Sequence, residues 1–186
     1  MNYLIGDSQA EGLGPSFRAK GWRVFDRRGY STRRLRDEVL PTLPLRADDV
    51  VVLVTGGNDD PDSSALPEVV RTTVERITRS GARLFWVGPV AAKVQPDAQV
   101  HPRTAAVHRA NVSGKPNVTW IDAQPLTRDL ARSSNVHLDA AGYRLYAQRL
   151  EAAMRSSSGS GLALVALALL GAAVITRRWW LAVPPP

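Results

Sequence analysis

The feature that most constrains the fold is an unbroken apolar run in the first third of the chain. Residues 50–54 read VVVLV, so the run has no polar member and four of its five residues are β-branched. Gly56 and Gly57 then stop it. A strand with one wet face would alternate apolar and polar residues, so this run predicts a strand covered on both faces, as in a parallel sheet.

Four more short apolar segments are typical of strands, and helical patterns separate them. The predicted strands are Tyr3–Ile5, Trp22–Phe25, 50–54, Leu84–Val87 and Val118–Ile121. The predicted helices cover residues 31–40, 65–80, 103–112 and 140–154. Alternation of strand and helix with short links predicts an α/β fold, a three-layer sandwich around a five-stranded parallel sheet. Ligands bind at the carboxyl ends of the strands in such sheets.

Composition excludes several kinds of chemistry. The chain of 186 residues suits one ordinary domain and has no cysteine, which excludes disulfides, thiolate nucleophiles and thiolate zinc sites. Its three histidines disfavour a histidine-rich metal site. His101 and His108 lie on an arginine-rich segment and are expected to be solvated.

The net charge of +7 comes almost entirely from arginine. Such a surface can attract phosphate, anionic glycans or acidic lipid, or the arginines can simply be solvated. The densest run, between residues 27 and 36, has only Tyr30 as an interleaved aromatic residue. Base stacking needs more aromatic side chains than this, so nucleic-acid binding is disfavoured.

The character of the chain changes after Met154. The sequence predicts an α/β domain over residues 1–154, a serine- and glycine-rich linker over 155–161, and a hydrophobic segment with an Arg/Trp/Pro tail over 162–186. An apolar block flanked by arginine and tryptophan is typical of a hydrophobic helix that attaches to a membrane, here through residues 162–180. The alternative is a C-terminal helix that packs or serves assembly.

The orientation of a single-pass C-terminal anchor stays open. No secretory signal precedes the first strand, which favours a cytoplasmic domain. The two arginines at 177–178 follow the apolar block and favour the opposite topology. The sequence therefore predicts membrane association without giving the side of the membrane.

Three segments far apart in the chain carry candidate chemistry. Ser8 follows the first strand in a Gly-Asp-Ser turn, Asn58 follows the central strand after two glycines, and His137 precedes the last helix. Each alone is compatible with an ordinary turn or a surface residue. Together they supply a hydroxyl nucleophile, an amide donor and an imidazole base, the parts needed to attack an ester carbonyl.

Two other interpretations of these segments are weaker. Asp59, Asp60 and Asp62 form an acidic cluster, but a calcium loop needs more spaced oxygen ligands, so no metal site is predicted. The Gly-x-Ser-x-Gly elbow of α/β-hydrolases is absent. Asp139 is placed to cap the last helix.

These residues resemble the motifs of the SGNH hydrolases, also called the GDSL esterase/lipase family. Residues 6–14, GDSQAEGLG, match the first block, residues 56–59, GGND, match the third, and His137 with the following Leu138 matches the last. The second block is only a glycine in a loop after the second strand, where Gly29 fits. The resemblance covers about residues 1–154 and implies the flavodoxin-like fold of that family.

The resemblance implies a role for each matching residue. Ser8 is the expected nucleophile and His137 the expected general base. The Ser8 amide, the Gly29 amide and the Asn58 side chain form the expected oxyanion hole, and the motif residues Asp7 and Gly57 are structural. No metal or cofactor is implied, and the expected partner is a small-molecule or glycan acyl ester.

One position departs from the family pattern. The family usually carries an aspartate three residues before the histidine, and this chain has Ser134 there. A serine can orient the imidazole but brings no charge, and loss of the orienting aspartate can cost about 10⁴ in rate. The sequence therefore predicts a serine esterase acting on O-acetyl glycan, cell-wall or short lipid esters. The alternative is a weak or inactive module of the same fold that serves binding or assembly through its hydrophobic tail.

Overall fold

The computed structural model describes residues 1–157. The chain divides into two compact units, Met1–Glu151 and Ala152–Pro186. The described residues of the second unit, 152–157, are helical. Residues 155–157 open the predicted linker, and the rest of that linker and the predicted hydrophobic helix lie outside the described residues.

A five-stranded parallel sheet forms the centre of the first unit, as the sequence predicts. Its strands are β1 (Asn2–Gly6), β2 (Arg23–Asp26), β3 (Val50–Val54), β4 (Arg83–Val87) and β5 (Val118–Ile121). They are arranged in the order β2-β1-β3-β4-β5. The apolar run that predicted a doubly covered strand is β3, the middle strand, and its last four residues are buried.

Within residues 1–157, six α-helices connect and follow these strands. Five are α1 (Ser8–Arg18), α2 (Thr32–Arg34), α3 (Leu66–Thr78), α4 (Asp97–Val112) and α5 (Ala123–Thr127), and the sixth, α6, begins at residue 140. The predicted 31–40 helix continues from α2 as a π-helical turn, Leu35–Val39, and a 3₁₀ turn, Leu40–Thr42. Pro41 lacks an N–H and cannot donate to the Asp37 carbonyl, which explains the irregular end. Helix α4 contains Pro102 and begins six residues earlier than the sequence predicts.

Both faces of the sheet are covered. One face packs in the main hydrophobic core against α3 and α4; it presents Tyr3, Ile5, Val51, Leu53, Leu84 and Trp86. Leu4, Val52 and Phe85 alternate with these residues and are also buried. Gly6 shares their face, and a methyl group built on it would lie 2.9 Å from the Ala10 Cβ, so α1 covers this second face.

The strand order places the candidate site. The chain runs from β1 to the edge strand β2 and then returns to β3 on the other side of β1, so the direction of winding reverses between β1 and β3. Crevices at such a reversal are where open α/β sheets bind ligands. Ser8 follows β1 and Asn58 follows β3, so both lie at this point. In the described residues, no helix is long and apolar enough to cross a bilayer.

Candidate active site

Ser8 is the first residue of helix α1. Asp7 caps the helix, because its Oδ1 accepts a hydrogen bond from the Gln9 N–H at 2.9 Å. The N–H groups of a helix's first turn have no partner within the helix and point towards the solvent or a ligand. The Ser8 backbone N–H is one of these groups, and its part in the oxyanion hole stays a prediction.

Close packing explains two glycines of the first motif. A methyl group on Gly6 would lie 2.2 Å from the Val54 carbonyl oxygen, and one on Gly12 would lie 2.2 Å from the Tyr143 ring. Gly6 lets β1, β3 and α1 come together, and Gly12 lets α1 approach α6. Both glycines are therefore needed for packing, a role that the sequence motif alone does not indicate.

His137 reaches Ser8 from a loop, although it lies 129 residues further along the chain. Its Nε2 lies 2.9 Å from the Ser8 Oγ. The backbone N–H groups of Ser133 and Ser134 both donate to the His137 carbonyl oxygen, at 3.0 and 3.2 Å, which closes the loop tightly. Asp139 caps α6 directly after it, with its Oδ1 accepting from the Gly142 N–H at 2.7 Å, as the sequence predicts.

Ser134 takes the place of the missing aspartate beside the imidazole. Its Oγ lies 3.0 Å from the His137 Nδ1 and accepts the His137 backbone N–H at 3.2 Å. When Nδ1–H donates to this hydroxyl, Nε2 is free to accept the proton of Ser8. Ser134 can thus select the useful tautomer, but as a neutral group it does not stabilise the imidazolium that forms.

The two other predicted oxyanion donors are placed differently from Ser8. Asn58 lines the cavity, and its Nδ2 donates to the Asp7 Oδ2 at 3.3 Å and to the Tyr30 carbonyl at 3.2 Å. Gly29 is exposed, in a turn with φ +74°, and it is not among the described residues that line the cavity. Its part in the oxyanion hole stays a prediction.

Asp7 is buried behind Ser8. Burial raises the pKa of its carboxyl to about 7, nearby Asp59 adds to the rise, and the hydrogen bonds from Gln9 and Asn58 oppose it. The carboxyl therefore gains or loses a proton near neutral pH. Gly57 lies against it, since a methyl group on Gly57 would be 3.6 Å from the Asp7 Oδ2.

A buried histidine–carboxylate pair, His108 and Asp59, lies next to the Asn58 loop. Asp59 accepts the Thr32 N–H at 2.9 Å and the Thr32 hydroxyl at 2.5 Å, and its Oδ2 lies 3.0 Å from the His108 Nε2. The His108 N–H is not aimed well enough at that oxygen to make a regular hydrogen bond. Burial raises the pKa of Asp59, but the adjacent His108 and the hydrogen bonds from Thr32 outweigh burial and lower it below the ordinary value.

The expectation that His101 and His108 are solvated is wrong. Their side chains are 3% and 0% exposed. His108 accepts the Trp86 indole N–H at 3.2 Å, and His101 Nδ1 lies 2.8 Å from the Val90 carbonyl oxygen. Each ring has a polar partner inside the fold, so both histidines can be buried although the segment around them is rich in arginine.

Two amides that the sequence analysis did not assign hold the His137 loop. Gln9 Nε2 donates to the Val136 carbonyl at 3.0 Å, and its Oε1 accepts the Tyr143 hydroxyl at 3.1 Å. Asn135 Oδ1 accepts the N–H groups of Lys93 and Val94, at 2.9 and 2.7 Å. These contacts tie the loop to α1 and to the segment after β4. In the sequence, nothing beyond their position next to motif residues distinguishes Gln9 and Asn135.

The Ser8 and His137 side chains open into one cavity of about 190 Å³. Asn58, His101 and Asp97 are among the other residues of its wall. The described residues contain no group of three or more histidine or acidic side chains arranged to hold a metal ion.

Comparison with known proteins supports the fold. Neither the protein-family models nor the curated proteins match the chain significantly. Solved structures do. One is the C-terminal catalytic domain of peptidoglycan O-acetyltransferase A from Streptococcus pneumoniae, which carries a methylsulfonyl adduct; it is 21% identical over 84% of this chain and 93% of its own, with a TM-score of 0.64.

Two further structures have the same architecture. A member of the lipolytic G-D-S-L family from Veillonella parvula is 15% identical over 79% of this chain and 93% of its own, with a TM-score of 0.63. A mutant of an acetyl-xylooligosaccharide esterase from Geobacillus is 17% identical over 79% of this chain and 90% of its own, with a TM-score of 0.55. The resemblance to the SGNH hydrolases, first seen in three short motifs, is thus confirmed in the fold.

Proposed function

We propose that this protein is a serine esterase that cleaves small acyl esters through an acyl-enzyme. The observation that carries the proposal is the 2.9 Å contact between the Ser8 Oγ and the His137 Nε2 at the first turn of α1. A serine hydroxyl is a weak nucleophile until a base within hydrogen-bond reach removes its proton. The contact meets that requirement, and a cavity opens beside it.

The proposed reaction has two halves. His137 Nε2 takes the Ser8 proton while the Ser8 oxygen forms a bond to the ester carbonyl carbon. The tetrahedral intermediate then expels the alcohol, which receives the proton from the His137 imidazolium and leaves an acyl group on Ser8. Water, deprotonated by His137 in the same way, attacks the acyl carbon, and release of the acid returns the proton to Ser8.

The oxyanion that forms in each half needs hydrogen-bond donors. The Ser8 N–H at the start of α1 is the first, and the dipole of the 11-residue helix favours negative charge there. The Asn58 amide is the second; its bonds to Asp7 and Tyr30 are long, at 3.3 and 3.2 Å, so exchanging one for an oxyanion costs little. Removal of one such donor typically costs about 3 kcal/mol of transition-state stabilisation.

Cavity size supports a short acyl group. Sites for drug-sized ligands have volumes of roughly 300–1,000 Å³, and the cavity here has about 190 Å³. One structure with this fold is named a peptidoglycan O-acetyltransferase, and another is named an acetyl-xylooligosaccharide esterase. We therefore assign acetyl esters of glycans as the first substrate class to test. Attachment to a membrane through residues 162–180 stays a separate prediction.

Ser134 favours one alternative, a weak or inactive module of this fold. A neutral hydroxyl beside the His137 Nδ1 leaves the imidazolium without a charged partner. In that case, the Ser8–His137 contact would be kept for structure, and binding or assembly would be the function.

An active-site probe separates the two functions. The full-length chain is treated with a fluorophosphonate, beside Ser8→Ala as the matched control that removes only one oxygen atom. We expect the probe to label the unsubstituted chain and not to label Ser8→Ala. We also expect the unsubstituted chain to release acetate from 4-nitrophenyl acetate and Ser8→Ala to release none. A folded chain, shown by its circular dichroism spectrum, that neither labels nor releases acetate would support the inactive module.

A further inference from the structure

A second imidazole lines the cavity beside the proposed nucleophile. His101 is 3% exposed, and its Nδ1 lies 2.8 Å from the Val90 carbonyl oxygen. A carbonyl oxygen can only accept, so Nδ1 carries the hydrogen and the ring's other nitrogen, Nε2, has a free lone pair in the neutral ring. The fold thus fixes the tautomer of His101 without using Nε2.

His101 lines the wall of the cavity. A methyl group on Gly57 would lie 3.8 Å from the His101 Nε2, which places this nitrogen beside the loop that carries Asn58. None of the hydrogen bonds in residues 1–157 involves the His101 Nε2, and this nitrogen is not one of the fully buried polar atoms that lack a partner, since it faces the cavity. A bound ligand that shut this acceptor off from water without donating to it would cost free energy, so a ligand that donates a hydrogen bond there is favoured.

Asp97 adds a second acceptor to the same wall. It precedes His101 by four residues on α4, a spacing that brings two side chains to one face of a helix. Asn135 Nδ2 donates to its Oδ2 at 2.8 Å, which fixes the carboxylate next to the His137 loop. None of the described cavity-lining residues is a lysine or an arginine.

The charge of this wall bears on the arginine-rich segment noted in the sequence. Arg28 pairs with Glu11 at 3.0 Å, and Arg34 pairs with Glu38 at 2.8 Å. These two cations are already matched by carboxylates, whereas His101 and Asp97 give this side of the cavity wall two acceptors. A neutral donor such as a hydroxyl fits the cavity better than an anion does.

We propose that His101 Nε2 and the Asp97 carboxylate bind free hydroxyl groups on the alcohol part of the ester, so that the site prefers a partly acetylated sugar or other polyol. The inference rests on the proposed esterase function and adds its specificity. A substrate with only alkyl or acetylated neighbours would leave the His101 Nε2 unpaired and the Asp97 carboxylate with Asn135 as its one side-chain donor among the described residues. Sites built to hydrogen-bond a substrate hydroxyl discriminate strongly against analogues that lack it.

The test compares three esters on the full-length chain. Methyl 2-O-acetyl-xyloside keeps two free hydroxyls, its peracetylated form has none, and 4-nitrophenyl acetate lacks a sugar altogether. His101→Asn is the main variant, because the asparagine amide can still donate to the Val90 carbonyl while the acceptor at the Nε2 position is removed. Asp97→Asn is the second variant and keeps the shape of the side chain.

We expect His101→Asn to lower kcat/KM for the mono-acetylated sugar about tenfold, the effect of one lost hydrogen bond, mainly through KM. We expect Asp97→Asn to act in the same direction. Rates on 4-nitrophenyl acetate should stay within about twofold, and the unsubstituted chain should prefer the mono-acetylated over the peracetylated sugar.

The possible failures are distinguishable. If the unsubstituted chain cleaves none of the three esters, the proposed esterase function is overturned and this inference with it. If the chain cleaves them but both variants lower all rates equally, or leave the preference unchanged, only the inference is overturned. Asp97→Asn keeps the test decisive if His101→Asn does not fold.

Discussion

His137 and His108 each have an oxygen partner, but they hold complementary parts of the serine–histidine–aspartate arrangement. His137 faces the Ser8 hydroxyl and is backed by the neutral Ser134, with distances of 2.9 and 3.0 Å. His108 lies 3.0 Å from the Asp59 carboxylate and faces the Trp86 indole. The first has a nucleophile without a carboxylate, and the second has a carboxylate without a nucleophile.

Surroundings, more than residue type, separate the two sites. The His108 and Asp59 side chains are 0% and 3% exposed, and the Trp86 ring meets the His108 ring edge-on at 5.3 Å between centroids. Substrate cannot reach such a pair, so its polar contacts serve stability. His137 is half-buried on a loop beside a cavity, so its contacts can serve chemistry. Four predictions test this difference, in order of decreasing effect.

The largest effect is expected on turnover at the open site. Ser8→Ala and His137→Ala should each lower kcat for 4-nitrophenyl acetate by about 10⁴-fold or more, and the double variant should be no worse than either, because the two side chains act as one unit. Initial rates across the three variants measure this. Multiplicative losses in the double variant would show that Ser8 and His137 act independently.

The second largest effect is expected on the pH dependence of stability, through Asp7. Asp7 receives hydrogen bonds from Gln9 and Asn58. Its pKa is raised to about 7 in the fold, so the folded chain keeps a proton that the unfolded chain loses above pH 4. Its contribution to stability is therefore full below pH 4 and falls as the pH rises to about 7, by roughly 4 kcal/mol at most.

Asp7→Asn should remove that fall while keeping the helix cap, since asparagine also caps helices well. Urea unfolding of both chains at pH 4, 5.5, 7 and 8 gives the difference in unfolding free energy at each pH. The variant should gain stability relative to the original chain as the pH rises. A constant difference would mean that Asp7 ionises normally despite its burial.

Loss of the buried His108–Asp59 pair should lower the free energy of unfolding and leave the rate of ester cleavage by the folded chain unchanged. Asp59→Ala leaves Thr32 and His108 without their buried partner, and removal of one member of a buried polar network costs about 3 kcal/mol. Ser134→Ala, at the exposed counterpart, should change unfolding free energy by less than about 0.5 kcal/mol. Equal losses in the two variants would contradict the division between a structural and a functional pair.

The smallest effect is a gain of activity. Ser134→Asp places a carboxylate beside the His137 Nδ1 and should raise kcat by about 10- to 100-fold, part of the 10⁴-fold that the aspartate provides in a complete triad. Ser134→Asn is the matched control, with the same size and no charge. An equal rise in both variants would point to packing, and no rise in either would show that the imidazolium needs no charged partner here.

The sequence predicted much of the fold for local reasons. Unbroken apolar runs identify strands buried on both faces, and all five predicted strands are present within about one residue at each end. The helices at 65–80 and after residue 139 followed from apolar spacing and the Asp139 cap. The prediction of the helix at 103–112 was too short, because α4 begins at Asp97 and contains Pro102.

The candidate site was predictable only in part. Ser8, Asn58 and His137 stand out because motif glycines and strand ends mark them, and the fold brings all three to one crevice. Gln9, Asn135, Asp97 and His101 had no such signal, because their contacts join segments about 10 to 135 residues apart. Gly29 fitted the motif and lies outside the described cavity wall.

The amino-acid sequence by itself determined the strands and the three motifs, because each depends on short-range periodicity or on turn chemistry. Tertiary structure alone decided which histidines open to substrate. The packing of α4 against the sheet buried His108 beside Asp59 and turned His101 towards the cavity. Two identical side chains seven residues apart thus acquired different surroundings, and the surroundings set what an imidazole can do.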